Sequence, residues 1–419
     1  MRKLKVGVFG ASRGRTMIGV LLDHPDAELV AVCDKYEPLL QEVGQNAEEK
    51  GLKIALYTDF EEFFKHDMDA VVLANYATEH STYGVRLLRS GRHIMTEVLP
   101  CETPAQGVEL AEAVEETGLT YAYAENYCYM DRTFEMWRRY QNGDIGRVTY
   151  GEGEYIHDCS AIWPRITYGD RNHWRNMVHP FFYNTHSLGP LLTMTGERPA
   201  KVTGIMTRFD PAYYLKGLSM MTAGIEMVTT KSGAVFKSIH GGLKREPGSI
   251  NYELYGDRGC METQRFGDPY LNVYREGDKA CKGNLESYFP QKFVDVELAS
   301  TVASHGGSDF YATHFFIQKI LGRESGRWSI DVYQALDMGL CGLLAHRSAL
   351  AGGIPMEVPD FRDPVQREPY RNDHACTTPS VAGDQLLPRL PIPEGFPEVP
   401  QEAYDQIREL WKAGKDFEN

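Results

Sequence analysis

From residue 3 to about 125, short apolar runs of strand character alternate with amphipathic segments of helix length, and nothing else constrains the fold of this chain as strongly. "LKVGVFG" leads into a helix through "MIGVLLDH", and "ELVAVCD" into one through "PLLQEVGQNAEEKG". "DAVVLA" is followed by "HSTYGVRLLRSG", and "HIMTE" by "PAQGVELAEAVEETG", before "TYAYAE". Strands separated by helices that close on glycine must cross over before pairing in the same direction. The pattern predicts a doubly wound parallel sheet.

After Asn126 the rhythm changes. One helix ("RTFEMWRRYQNG") leads into "RVTYGEGEYIHD", an irregular aromatic stretch, and strand-like runs such as "KVTGIMTRF", "MVTTKSGAVFKSIHGG" and "SINYELYGDRGCMETQ". Strands in succession without helices between them suggest a second α/β domain on a largely antiparallel or mixed sheet. The helices "DFYATHFFIQKILG" and "DVYQALDMGLCGLLAHRSALAGG" are expected to cover it. The expected boundaries are residues 1–126 for the first domain and 127–360 for the second. Residues 361–419 form a proline-rich strap ending in the amphipathic helix "QEAYDQIRELWKAG".

A chain of 419 residues that is 42% hydrophobic can build two cores. Its net charge of −14, with no lysine- or arginine-rich run, argues against a nucleic-acid or anionic-membrane partner. The eight cysteines are scattered with no C-x-x-C pair, so neither a zinc knuckle nor a disulfide framework is expected, and a reducing cytoplasm fits best. No run approaches about 18 apolar residues, and the first residues carry no export signal, so a membrane location is not expected. The thirteen histidines show no H-E-x-x-H and no regular ligand spacing, and no metal is expected.

The first strand runs into "GVFGASRGRTM". Gly10, Ser12, Arg13 and Gly14 stand where a tight turn lets backbone approach a pyrophosphate seated on a helix N-terminus. Three residues separate Gly10 from Gly14, where the strict fingerprint has two. Asp34 ends the second strand twenty residues after Gly14, placed to accept from the adenosine ribose hydroxyls and to repel a 2′-phosphate. The expected cofactor is NAD. Ligands of such sheets lie beyond the carboxyl ends of the strands. "LANYATEH" (Asn75, His80), "TEVLP" (Glu97, Val98) and "AENYCY" (Asn126) complete the cofactor-binding candidates. Glu97 either holds the nicotinamide ribose or serves as an N-terminal charge for the next helix.

These motifs together resemble the glucose–fructose oxidoreductase / inositol dehydrogenase / MocA family: the glycine turn, Asp34, "DAVVLANYATEH", "SGRHIMTE", "ENYCYMD", "YGDRG" and "EVPDF". The resemblance implies an N-terminal Rossmann domain and a C-terminal α/β domain whose large open, mostly antiparallel sheet mediates a dimer or tetramer. Family dehydrogenases carry Glu-Lys-Pro after the fifth strand, where the lysine helps take a hydroxyl proton; here those positions are Val98 and Leu99. "TEVLP", "ENYCY", "GEYIHD" and "YNTHSLGP" instead look like the family's NAD-dependent α-N-acetylgalactosaminidase branch, which cleaves glycosides through transient oxidation of the sugar. Leu99, Asn184 and Ser187 depart from that branch's pattern.

Chemistry of this kind needs groups that move protons near neutral pH. Tyr183 and His186 lie three apart at the start of a helix and form the first choice; the alternative is a capping Thr185 with a buried histidine. Strand alternation puts Tyr155 and His157 on one face, and the resemblance makes Tyr155 a substrate contact, with catalysis and a structural hydrogen bond both open for His157. "NHWRNMVHP" adds Arg175, which looks like the branch's substrate arginine, and Trp174, which either stacks on a pyranose or fills core. Asn184 and Thr185 complete the substrate-binding candidates. In "SHGGSDFY", His305 and Asp309 open a helix that either reaches the pocket or simply carries an N-terminal charge. The expected function is redox-neutral, NAD-dependent cleavage of a glycoside. Net dehydrogenation to a 3-keto sugar is the rival, and a nucleotide-binding protein without chemistry a third possibility.

Overall fold

A computed structural model describes residues 2–218, 222–277, 285–301, 307–391 and 398–418; His305 lies outside them. The chain forms two compact units. Unit 1 comprises Met1–Glu135, Pro290–Leu336 and Asp360–Asn372, and unit 2 comprises Met136–Phe289, Asp337–Pro359 and Asp373–Asn419.

Unit 1 is built on six parallel strands: β1 (Leu4–Phe9), β2 (Ala27–Cys33), β3 (Ala55–Tyr57), β4 (Ala70–Leu73), β5 (His93–Thr96) and β6 (Tyr121–Tyr123), in the order β3-β2-β1-β4-β5-β6. The strands are nearly continuous apolar runs because helices cover both faces, and Val6, Val8, Val72 and Ile94 are wholly buried. The strand order reverses between β1 and β4, and this opens the crevice in which such sheets bind ligands. Local signals set the helices. Thr103 caps the helix Pro104–Thr117 by accepting from the Gln106 amide at 3.2 Å, Pro104 opens it, and left-handed Gly118 ends it.

The helix Ser308–Ile320, expected over the second sheet, packs in unit 1. It is buried from Ser308 to Gln318, polar Asp309, Thr313 and His314 included, so no solvent-facing stripe tells what it packs against. Its Tyr311 and Phe315 join Tyr129, Phe134 and Trp328 in an aromatic cluster. Tyr129 Oη donates to the Trp328 carbonyl at 2.8 Å, and the Tyr123 amide donates to the Ile330 carbonyl, tying this return segment beside β6.

Unit 2 holds nine strands: β7 (Val148–Ile156), β8 (Pro199–Met206), β9 (Ala223–Thr230), β10 (Val235–Gly241), β11 (Ser249–Gly256), β12 (Gly259–Thr263), β13 (Leu271–Arg275), β14 (Leu285–Tyr288) and β15 (Met356–Glu357). Their order is β14-β13-β12-β11-β7-β10-β9-β8-β15. Every neighbouring pair is antiparallel except β7 and β10. One face is covered by the helix Thr185–Thr195 and by residues 337–350 of the helix Val332–Leu350. A Cβ on Gly153 would stand 1.9 Å from the Ser187 carbonyl oxygen, and one on Gly204 2.0 Å from that of Ala345, so only glycine allows this approach. The other face leaves Ile205, Met227, Tyr255, Tyr274 and Leu285 exposed. The terminal helix Gln401–Lys412 seats Ile407 against Trp163, Leu218 and Phe417. Among the described residues no helix is long and apolar enough to cross a membrane.

Candidate functional site

In unit 1 the switch point is shaped by glycine. Gly10 has φ +98°, and a Cβ there would stand 2.4 Å from the Ala74 carbonyl that follows β4. Backbone therefore meets backbone at the mouth of the crevice, a conformation and an approach that side-chain-bearing residues resist. The helix Ala11–Asp23 starts at once and has no side-chain cap at Gly10. Asp34, ending the turn after β2, accepts from the Ala11 amide at 2.7 Å and from the Tyr36 amide at 2.8 Å. Its carboxylate is thus fixed beside the helix N-terminus, where a ribose would sit next to a seated pyrophosphate. Lys35 donates to Tyr76 Oη at 2.7 Å and lies 4.1 Å over that ring. Ser12 is exposed in the first helical turn, and Gly14 is buried against Val8. The glycine cradle, the open helix end and the fixed acid fit a dinucleotide.

Arg13 leaves the same turn and joins two buried acids. Its guanidinium is 2.5 Å from Glu97 Oε1 and 2.8 Å from Asp309 Oδ1. Burial opposes its charge, but the two carboxylates outweigh that and raise its pKa above the ordinary arginine value. Glu97 Oε2 also accepts from the Val98 amide at 3.1 Å. Val98 and Leu99 are buried, with a cis peptide bond between them. The Leu99 carbonyl bonds His80 Nδ1 at 3.1 Å, and burial lowers the His80 pKa to about 4, so its ring is neutral. Asn75 donates to Glu79 at 2.9 Å, and Asn126 is buried at the start of the turn Asn126–Tyr129. Asp309, weighed in the sequence as pocket group or helix charge, is the second anchor of Arg13.

Unit 2 gathers the proton-handling candidates. Tyr155, near the end of β7, is paired in register with His240 on β10, and their rings stack at 5.3 Å with 6° between planes. Tyr183 and His186, on the turn and first residues of the helix Thr185–Thr195, lie over them. Tyr155 to His186 is 4.8 Å between centroids, Tyr183 to His186 5.3 Å and Tyr183 to His240 5.9 Å. Tyr155 Oη is 2.9 Å from His157 Nδ1. Partial burial lowers the pKa of the solvent-reaching His157, nearby His186 and Arg175 lower it further, and Asp158 opposes them. The Arg175 guanidinium lies 4.4 Å over Trp174 and 5.4 Å over Tyr183. Trp174 is 8% exposed, so most of its ring fills core.

Asn184 and Thr185 are fully buried, and Asn184 Nδ2 donates to Glu226 Oε2 and to the Met338 carbonyl. His173 caps the turn by accepting from the Arg175 amide, and His179 stacks on His346 at 4.1 Å. Asp158 is held by Lys244 at 2.9 Å. His240 was not among the sequence candidates. The available signal was strand alternation in "VFKSIHG", which puts polar Ser238 and His240 on the side of buried Phe236. Burial lowers the His240 pKa to about 3, with His186 adding to the effect, and its Nδ1 meets the Pro180 carbonyl at 3.1 Å. Its imidazole is therefore neutral and its tautomer set by that bond. Among the described residues no three His, Cys, Asp or Glu side chains are grouped to hold a metal.

Comparison with known proteins agrees with both halves. Residues 4–125 match the oxidoreductase family with an NAD-binding Rossmann fold, and residues 225–365 match the C-terminal domain of glycosyl hydrolase 109. A glycosyl hydrolase family 109 protein of Phocaeicola vulgatus is 27% identical, over 86% of this chain and 78% of its own. Another, from Saccharopolyspora erythraea, is 25% identical over 85% and 83%. Among solved structures, scyllo-inositol dehydrogenase from Lactobacillus casei with bound NAD(H) and scyllo-inositol has a TM-score of 0.66 at 15% identity, over 85% of this chain and 99% of that one. Levoglucosan dehydrogenase in complex with NADH and L-sorbose has a TM-score of 0.68 at 16% identity, over 86% and 100%. With its glycine cradle and fixed Asp34 in one unit and its Tyr/His cluster in the other, this chain is an NAD-dependent enzyme whose residues 4–125 match the NAD-binding Rossmann oxidoreductase family and which is similar over most of its length to the glycosyl hydrolase 109 proteins.

Proposed function

We propose that the enzyme cleaves glycosides without net redox change, oxidising the sugar transiently, at C3 by our reading. The observation that carries this is the pairing of two facts. Val98 and Leu99 stand where family dehydrogenases have lysine and proline, and a connected set of Tyr155, His157, Tyr183 and His186 offers proton transfer in unit 2.

NAD, when bound, supplies reversible hydride exchange with a sugar carbon; everything else is proton movement by this chain. Tyr155 takes the C3 hydroxyl proton as its own phenolic proton passes to neutral His157 Nδ1 at 2.9 Å. The resulting ketone acidifies the C2 proton, which His186 removes. The anomeric bond breaks and the leaving oxygen takes a proton from Tyr183. Water then adds at C1 and gives its proton to the Tyr183 phenolate, His186 returns the proton to C2, and Tyr155 restores the C3 hydroxyl proton when the carbon is reduced, its own proton coming back from His157. Arg175, over Trp174 and Tyr183, binds a sugar hydroxyl and polarises the ketone oxygen.

The test is incubation in D₂O with a panel of nitrophenyl α- and β-glycosides, following phenol release, NADH absorbance and the NMR spectrum of the sugar. Phenol release with deuterium at C2 and no lasting NADH supports the route. Stoichiometric NADH with an intact keto-glycoside establishes the second reading, a net sugar dehydrogenase, which the fold shared with levoglucosan dehydrogenase favours. For assembly, we infer a homodimer or homotetramer in which a second copy covers Ile205, Met227 and Tyr255 on the exposed face of the unit 2 sheet.

A further inference from the structure

Strand β9 carries a glutamate into the covered side of the unit 2 sheet. Glu226 is 1% exposed, and among the described residues no lysine, arginine or histidine pairs with it. Its Oε2 accepts from Asn184 Nδ2 at 3.3 Å, while the other hydrogen of that amide goes to the Met338 carbonyl at 3.0 Å. Two buried atoms have no partner in hydrogen-bonding geometry, Glu226 Oε1 and Asn184 Oδ1, the nearby Ser238 hydroxyl being engaged with Ser187 Oγ at 2.8 Å. Both are acceptors, and they belong to groups already joined by one hydrogen bond. A proton on the carboxyl is the missing donor, because an acid and an amide can pair through both arms at once. An ionised carboxylate here would be buried without a cation, the costlier alternative.

The surroundings link this acid to the site. Asn184 is wedged against Gly342, where a Cβ would stand 2.6 Å from its Oδ1. Ser238, the register partner of Glu226 across β10, meets Ser187 Oγ at 2.8 Å, and Ser187 Oγ donates to the Asn184 carbonyl at 3.1 Å. His186 lies between these two anchored residues, and its own carbonyl accepts from Tyr252 Oη. We propose that Glu226 is a positioning residue that remains a neutral carboxylic acid and, through Asn184 and the Ser238–Ser187 pair, sets the first helical turn carrying His186. The functional part rests on His186 acting in the proposed reaction.

Among the described residues the groups facing Glu226 are few. They are Asn184 from the turn, Ser238 from β10 and Cys341 from the helix Val332–Leu350, while β8 presents only Gly204. Burial holds the Cys341 thiol well above its usual pKa, and Asp337 on the same helix is paired with Arg198 at 3.6 Å. Burial pushes Glu226 up to about 8. The folded state therefore binds a proton that the unfolded chain releases near the ordinary glutamate value. The stability from this group is full at acidic pH and is lost as pH rises to about 8.

The experiment compares full-length wild type with Glu226→Gln and Glu226→Ala, each with NAD present. Readouts are infrared difference spectra at neutral pH, thermal midpoints across about pH 5 to 9 and kcat/KM against pH on a cleaved aryl glycoside. A protonated-carboxyl band should be present in wild type and absent from E226Q. E226Q, which carries a donor at every pH, should keep kcat/KM within about threefold and lose the decline in midpoint that wild type shows as pH rises from about 5 to about 8. E226A should lose about tenfold or more in kcat/KM. Absence of the acid band, or parallel midpoint curves for wild type and E226Q, overturns the neutral acid, and because E226Q retains the shape of the side chain this outcome does not depend on whether E226A folds. Unchanged turnover in His186→Ala, with the band intact, overturns the positioning role through failure of the site reading.

Discussion

Tyr155 Oη lies 2.9 Å from His157 Nδ1, while the Tyr155 ring is stacked on His240 of the neighbouring strand. The hydroxyl is thus aimed at an imidazole that accepts only when neutral, and the ring cannot turn away without losing its stacking partner. Tyr155→Phe keeps the stack and removes the proton path. We expect kcat for glycoside cleavage to fall by about 10²- to 10⁴-fold with a smaller change in KM, measured by steady-state kinetics.

The acid side of the pH profile follows from His157. Partial burial, then His186 and Arg175, lowers its pKa against the opposing charge of Asp158, so this solvent-reaching ring stays neutral to lower pH than free imidazole does. Activity should fall as pH drops through this lowered value, below about 6.5, and not at it. His157→Gln should remove that limb from kcat/KM. A profile of unchanged shape in the variant would assign the limb to another group.

Arg13 neutralises two carboxylates that have almost no access to water. Arg13→Met leaves both buried without that cation, and we expect a loss of about 3–5 kcal/mol in unfolding free energy at pH 7, read from denaturant titration. Without the arginine the carboxylates hold protons to higher pH. The penalty should therefore shrink as pH falls and Glu97 and Asp309 become neutral. Adding Asp309→Asn to Arg13→Met should recover part of the loss.

What could be read in the sequence was what is fixed locally. The glycine turn and Asp34 were legible because a backbone approaching a phosphate admits few residues, and the helix Pro104–Thr117 because its cap, proline and closing glycine lie within its own span. The return of Ser308–Ile320 to unit 1 was not, since a helix buried on every side has no polar stripe to say what it packs against. Arg13 could be placed at the turn but not paired with Asp309, which lies 296 residues away. His240 and Glu226 were missed for a related reason. Each sits in a strand whose alternation looks ordinary until the register sets His240 beside Tyr155 and Glu226 beside Ser238.

Asp34 holds two backbone amides at 2.7 and 2.8 Å beside the N-terminus of the helix Ala11–Asp23, where we propose that it accepts from a ribose. Asp34→Ala removes an ionised acceptor and the charge that repels a 2′-phosphate. NAD affinity should fall about 10- to 100-fold, and NADP should bind almost as well as NAD, as measured by calorimetric titration of both nucleotides. Retention of a strong NAD preference would mean that some other group selects the cofactor.

Val98→Lys tests the two readings of the reaction against each other. Val98 is buried, and its amide donates to Glu97 Oε2, so a lysine here places an amine beside the carboxylate that Arg13 now neutralises. Lysine at this position is what family dehydrogenases use to help take a hydroxyl proton, so by the proposed reading the variant gains a cation that favours the keto form, while competing with Arg13 for Glu97. If wild type cleaves glycosides without net redox, the variant should release phenol at least about tenfold more slowly and accumulate NADH with uncleaved keto-glycoside. Partitioning would then shift because the oxidised sugar is held longer than elimination requires. If wild type is already a net dehydrogenase, both proteins should accumulate NADH and differ only in rate, and the substituted lysine would then mark a change of base without a change of reaction.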